Sequence, residues 1–194
     1  MDRDAVLDLF RRSGALLDGH FRLTSGLHSS GYLQCALVLQ YPDTAETLGR
    51  AIAERVASLD ATVVLSPALG GIVIGQEVGR ALKVRAVFAE RQDGTLTLRR
   101  GFTLGEADRV LVVEDVVTTG GSTRETMQVA RASGARVVGA ASVVDRSGNA
   151  SSQIDGVPYR ALVGVALPTY EPAECPLCGQ GLAVVKPGSR STPV

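Results

Sequence analysis

Lysine is nearly missing from this chain. Of its 20 basic residues only Lys83 and Lys186 are lysines, so phosphate recognition, which often uses lysine, falls mainly to arginine. Neither sign of charge is in excess. Twenty acidic residues balance the basic ones to a formal net charge of zero, which argues against a broad electrostatic footprint for nucleic acid. No apolar run is long enough to span a bilayer, and Met1-Asp2-Arg3-Asp4 lacks the features of a secretory signal, so a soluble cytoplasmic protein is expected. Three cysteines do not make an even disulfide framework, and reduced thiols are expected. There is no internal repeat and no low-complexity segment. What remains is 194 residues with 45% hydrophobic content, enough for the core of one domain with a small appendage.

Strand and helix signals alternate from about residue 43 to 145. Residues 2–12 form a short amphipathic helix, and residues 19–40 read as two short strands joined by a turn near 27–30. Pro42-Asp43 opens a helix to about Ser58, with Leu48, Ile52 and Val56 forming a stripe every fourth residue. Strands follow at 61–66 and 85–90, with a helix at 72–82 between them. Asp93-Gly94 is a hairpin turn signal between Glu90-Arg91-Gln92 and the run from Thr95 to Arg100. A strand at 109–114, a helix at 122–133 and strands at 136–145 and 161–167 complete the core. The tail from Thr169 reads as loop, with Leu182 to Val185 suited to an edge. This rhythm predicts an α/β fold, a mainly parallel twisted sheet with helices on both faces. Ligands bind such sheets beyond the carboxyl ends of the strands. There lie three unusual loops, Ser66–Gly71, Glu114–Thr123 and Asp145–Gly148.

The most informative stretch is Val110 to Thr123. Its apolar run suits a strand buried on both faces, and it ends in two carboxylates, Glu114 and Asp115. After Val116 and Val117 comes a hydroxyl and glycine cluster, Thr118-Thr119-Gly120-Gly121-Ser122-Thr123, suited to enclosing a phosphate at a helix start. Ser122 and Glu125 have the spacing of a capping box, which is compatible with an anion site. Strict alternation would send the two acids to opposite faces, but the strand is expected to end there and the turn to bring both towards a ribose. Carboxylates so placed can hold ribose hydroxyls or a hydrated magnesium ion.

Glu114-Asp115-Val116-Val117-Thr118-Thr119-Gly120-Gly121-Ser122 resembles the phosphoribosyl diphosphate signature of the type I phosphoribosyltransferases. Ser66-Pro67-Ala68-Leu69-Gly70-Gly71-Ile72 is similar to their diphosphate-wrapping loop. Two further segments narrow the resemblance to the orotate phosphoribosyltransferases. One is Phe21-Arg22-Leu23-Thr24-Ser25-Gly26 with Ser29-Ser30-Gly31-Tyr32, and the other is Val143-Val144-Asp145-Arg146. The tail with Glu174-Cys175-Pro176-Leu177-Cys178 looks like that of one bacterial branch.

The resemblance implies a type I phosphoribosyltransferase fold in a single domain, residues 1–194, with a core of about 43–167 and a hood from 1–42 and 168–194. It implies magnesium-dependent transfer of ribose 5-phosphate from phosphoribosyl diphosphate to orotate, in the pyrimidine route to UMP, by a homodimer. Glu114, Asp115 and Arg91 would be catalytic. Arg91 and residues Glu114 to Ser122 would bind the donor, and Thr118 and Arg146 the orotate, whose carboxylate suits an arginine fork. Two alternatives keep the fold: a phosphoribosyl diphosphate sensor that binds nucleic acid, and a salvage transferase for another base.

The lysine shortage reappears here. Better-known members carry lysines where this chain has Thr24 and Gly70, and lysines and a histidine in a mobile loop that here contains Arg91, Arg99 and Arg100. Cys175-Pro-Leu-Cys178 is half of a zinc knuckle without a second cysteine pair; Cys35, His20 and His28 are the other available ligands. A turn with free thiols, or a site shared across a dimer, is expected, and no structural metal within the chain is assigned.

Overall fold

The computed structural model describes residues 1–23, 25–148 and 152–187. Thr24 and the end of the tail, 188–194, lie outside the described residues. In chain order the elements are α1 (Arg3–Arg12), β1 (Leu16–Arg22), β2 (His28–Leu33), α2 (Cys35–Leu39), α3 (Pro42–Val56), β3 (Val63–Pro67), α4 (Gly70–Leu82), β4 (Arg85–Gln92) and β5 (Thr95–Leu98). There follow β6 (Arg109–Val117), α5 (Gly121–Ala132), β7 (Arg136–Asp145), β8 (Gln153–Ile154), β9 (Val157–Gly164), β10 (Thr169–Tyr170) and α6 (Pro176–Gly179).

The central sheet has the order β5-β4-β3-β6-β7-β9-β8. Its five inner strands are parallel, and the edge strands β5 and β8 are antiparallel hairpin partners. From β3 the chain moves outward through α4 to β4. From β6 it moves the other way through α5 to β7. The loops leaving β3 and β6 therefore diverge, and the crevice between their carboxyl ends is where a sheet of this type takes a ligand.

Burial follows the alternation of β6. Leu111 and Val113 join the cluster beneath α1, α3 and α4, whereas Val110 and Val112 join the cluster beneath α5, and all four are fully buried. Helix α4 lies close to the sheet because Gly71, Gly75 and Gly79 form one stripe along it. A Cβ on Gly79 would stand 2.9 Å from the Ala86 Cβ and 3.1 Å from the Val84 carbonyl oxygen. A second, antiparallel sheet, β1-β2-β10, covers the crevice from the side. It joins the N-terminal segment to the tail, with Ser29 Oγ donating to the Pro168 carbonyl at 2.9 Å. The tail then runs beside β1: Arg22 N donates to Val185 O, and Val185 N to His20 O, both at 2.9 Å.

Several elements differ from expectation. The run Cys35 to Leu39 is a helical turn, not strand, because Cys35, Val38 and Leu39 face the core at helical spacing. The turn in the N-terminal segment falls before His28, so β2 occupies residues expected to form it. β9 begins at Val157, paired with β8, four residues earlier than expected. β6 does not end at Glu114 but pairs with β7 as far as Val117 and Asp145.

Substituting Gly79→Val is expected to destabilise the fold by about 1–3 kcal/mol, because backbone cannot move away from the added methyls. Gly105→Ala, at a position with nothing within 4 Å, is the control and should leave the denaturant midpoint nearly unchanged.

Candidate active site

Because β6 continues through the acidic pair, alternation holds and the two carboxylates part. Glu114 turns to the α5 side, where Thr123 Oγ1 donates to its Oε2. Asp115 turns to the α4 side, where a Cβ on Gly70 would stand 2.6 Å from its Oδ1. The expected turn that swings both acids to one side is thus corrected: the strand's pairing with β7 is stronger than the bend implied by the glycines downstream. The acids instead straddle the strand at the mouth of the crevice.

Both acids are uneasy as anions. Burial raises the Glu114 carboxyl to about 7; the Thr123 hydroxyl lowers it and the Asp115 charge raises it further. Burial also raises the Asp115 carboxyl, partly offset by the amides of Val116 and of its own residue. Neither pairs with an arginine or lysine among the described residues.

The turn after β6 leads into α5 through Gly120, which is buried and left-handed at φ 76°. Gly121 and Ser122 open the helix, so their amides lie at its positive end. The expected capping box is not formed. Gly120 is the N-cap, no side chain caps the helix, and Glu125 is engaged elsewhere. It accepts from the Leu96 amide at 2.9 Å and from both terminal nitrogens of Arg91, at 3.2 and 2.7 Å. Arg91 also donates to the Gly94 carbonyl, so the hairpin fastens to α5. Arg99 and Arg100 pair with Glu90 at 3.7 and 3.0 Å. Arg124 lies over the turn, donating to the Thr119 carbonyl at 2.8 Å. It also lines a cavity of about 530 Å³ with Val117, Thr119, Gly120 and Asp145.

A larger cavity of about 980 Å³ lies between this turn and the hood, and Thr118, Thr119, Arg146, Tyr32, Ser25 and Lys186 are in its wall. Arg146 follows β7; its amide donates to the Val117 carbonyl at 2.7 Å, and Asp145 accepts from the Ser147 amide at 2.7 Å instead of pairing with it. The Arg146 Nε is buried without a hydrogen-bond partner, and burial lowers its pKa. Tyr32 is held by donation from its hydroxyl to Gln34 Oε1 at 2.8 Å. A third cavity, about 420 Å³, reaches from Asp115 and Gly70 to Cys35 and Val73.

The structure therefore gathers Glu114, Asp115, Val116, Val117, Thr118, Thr119, Gly120, Gly121, Ser122 and Arg146 at one sheet edge. Arg91 is held away from the cavity walls by Glu125. Sequence reasoning missed Arg124, one turn into α5, and Lys186, whose signal was its rarity. It also missed that His20 and His28 meet Cys175 and Cys178, with all four ligand atoms within 4.8 Å of one another. His20 and His28 stood together among the candidate ligands beside the cysteine pair, but only the pairing of β1 with β2 and the return of the tail bring the four into one cluster.

Comparison with known proteins agrees with this geometry. The phosphoribosyl transferase domain family matches residues 38–157. The chain is 54% identical over 190 residues to an orotate phosphoribosyltransferase of Pelotomaculum thermopropionicum, covering 98% of this chain and 99% of that one. It is 52% identical over 185 residues to the orotate phosphoribosyltransferase of Carboxydothermus hydrogenoformans, covering 94% and 95%. Among solved structures, Mycobacterium tuberculosis orotate phosphoribosyltransferase with Fe(III) dicitrate matches with a TM-score of 0.71 at 27% identity, over 85% of this chain and 97% of that chain. The same enzyme with 5-phospho-alpha-D-ribosyl 1-diphosphate matches with a TM-score of 0.66 at 28% identity, over 84% and 96%. With a divergent crevice between β3 and β6, a glycine turn opening onto the N-terminus of α5 and relatives at this identity over nearly its whole length, the chain belongs to the orotate phosphoribosyltransferases, within the type I phosphoribosyltransferase fold.

Proposed function

We propose that the crevice transfers ribose 5-phosphate from phosphoribosyl diphosphate to N1 of orotate, giving orotidine 5-phosphate and diphosphate in pyrimidine biosynthesis. The observation that carries the reading is the junction of two unlike recognition surfaces. An anion-binding turn, preceded by carboxylates with no ionic partner among the described residues, meets a cavity whose half-buried Arg146 has an Nε donor left unused. The bond from the anomeric carbon to diphosphate breaks as the bond to N1 forms, and positive charge builds on the sugar. Glu114 and Asp115 stabilise that charge and fix the ribose hydroxyls. Amides and hydroxyls from Thr118 to Ser122 hold the 5-phosphate, with Arg124 beside them. Arg146 and Thr118 orient orotate through its ionised carboxylate and ring carbonyl, and the N1 proton passes to the departing diphosphate or to water as the new bond forms.

Magnesium fits the donor set, since two part-buried carboxylates with raised pKa and no cationic partner favour a cation. Glu114 and Asp115 would hold the magnesium complex of the donor, and the ion would neutralise diphosphate charge. Arg91 reaches a donor phosphate only when its pair with Glu125 opens. The hood, residues 1–42 and 168–194, would act as one body with the core 43–167. A homodimer is supported by exposed apolar residues near the diphosphate loop, Leu69 at 84%, Tyr41 at 51% and Val73 at 44% exposure. No helix among the described residues is long and apolar enough to cross a membrane, and we place the activity in the cytoplasm.

Loss of orotate absorbance in the presence of phosphoribosyl diphosphate and magnesium tests the reaction. Turnover with a purine or uracil but not orotate would overturn the base, and donor binding without any turnover would favour a sensor. Arg146→Ala should raise KM for orotate about 10- to 100-fold, the loss of a charge-assisted contact, with KM for the donor little changed.

The raised Glu114 pKa has a defined sign. The folded state holds this proton more tightly than the unfolded chain, so the stability penalty is absent below the ordinary carboxylate pKa of 4.5. It grows as pH rises and is complete above about 7. Glu114→Gln should therefore melt higher than the parent at pH 8 and equal to it near pH 4.5. Binding of magnesium and donor near pH 7 should release about half a proton from Glu114, seen as a buffer-dependent heat in titration calorimetry, and the variant should release correspondingly less.

A further inference from the structure

The hood contains a second chemical centre that the transferase reaction does not use. His20 on β1 and His28 on β2 stand side by side, with His20 Nε2 2.9 Å from His28 Nδ1. The Cys175 sulfur is 3.5 Å from His20 Nε2, and the Cys178 sulfur is 3.8 Å from His20 Nε2 and 3.3 Å from His28 Nδ1. Zinc bonded to nitrogen at ~2.0–2.1 Å and to sulfur at ~2.3 Å sets tetrahedral ligand atoms about 3.3–3.8 Å apart. The four separations just given, 2.9 to 3.8 Å, are close to that spacing, and no two of the ligand atoms lie more than 4.8 Å apart.

Three details indicate a ligand set. The His20 Nδ1 is 2.9 Å from the Leu182 carbonyl and donates to it as the protonated nitrogen, which leaves a lone pair on Nε2 facing the cluster. A carbonyl behind a ligating imidazole is the usual outer partner that fixes its tautomer. His20, His28 and Cys175 are buried at 4%, 7% and 5% exposure, and two polar imidazoles side by side in an interior are costly without a shared partner. Cys175 and Cys178 flank one helical turn, closed by donation from the Gly179 amide to the Cys175 carbonyl, so both sulfurs lie on one side. Two soft sulfurs, two imidazoles and no carboxylate select zinc over magnesium or calcium, and two thiolates balance its charge.

We propose that His20, His28, Cys175 and Cys178 bind one structural zinc ion, which fastens the C-terminal tail across β1 and β2. Seven residues beyond the knuckle the tail pairs with β1 through Val185, and the next residue, Lys186, enters the wall of the large cavity. The zinc thus holds the hood shut and keeps one of the chain's two lysines at the base site; this second part rests on the orotate reading above.

The full chain, purified without a histidine tag or chelator, should carry about one zinc per chain by elemental mass spectrometry. Cobalt(II) in its place should give the visible bands of a tetrahedral site and thiolate charge transfer in the near ultraviolet. Cys175→Ser combined with Cys178→Ser should lose both. Should that variant fail to fold, the cobalt spectrum of the parent chain still decides the matter. A parent chain that takes up neither metal, or that instead forms a Cys175–Cys178 disulfide, overturns the site, as does a double variant that keeps its zinc. Removing zinc with a chelator should expose the tail to proteinase K and raise KM for orotate about tenfold, more than KM for the donor. Unchanged cleavage and unchanged KM in the zinc-free chain would overturn the fastening role. Metal content and cobalt spectrum are read without orotate, so a failed zinc site and a failed orotate reading are separate results.

Discussion

Two carboxylates at the end of a doubly buried strand are the constraint from which the site follows. Val110 to Val113 have no exposed face, so β6 lies at the centre of the sheet with neighbours on both sides. Its acids are then carried into a low-dielectric crevice, where no cationic side chain among the described residues pairs with them. That costs stability, visible as the raised pKa of Glu114 and Asp115. In the proposed function that cost would be recovered when positive charge arrives, with a bound cation or at a reacting sugar. Local frustration of this kind is expected where a fold meets its chemistry.

Positive charge is distributed differently. The arginines of the hairpin are neutralised at home, Arg91 by Glu125 and Arg99 and Arg100 by Glu90. They shape the β4–β5 arm in this state. On the reading proposed above, phosphate recognition would rest on backbone amides at α5 and on Arg124, which need no lysine. The cavity under the hood is the exception, since it has both Arg146 and Lys186 in its wall.

Much of the fold was legible in the residues. Buried parallel strands and amphipathic helices announce themselves through runs and periods, and the elements from α3 to β7 lie within a few residues of expectation. Short apolar runs were less legible. Cys35 to Leu39 carries no period long enough to separate helix from strand, and packing decided it. The Ser122 and Glu125 spacing suited a cap, but a left-handed Gly120 took that place and Glu125 found an arginine from another element.

The sequence alone determined the central strand, its acidic tip and the glycine turn behind it, because these depend on near neighbours along the chain. Tertiary structure decided which side each acid faces, since that requires knowing how far β6 stays paired to β7. It also decided what lies over the base cavity. Residues near 20 and 28 meet residues near 175 and 186 only after β10 pairs with β2 and the tail with β1, and no local pattern encodes contacts separated by some 150 positions.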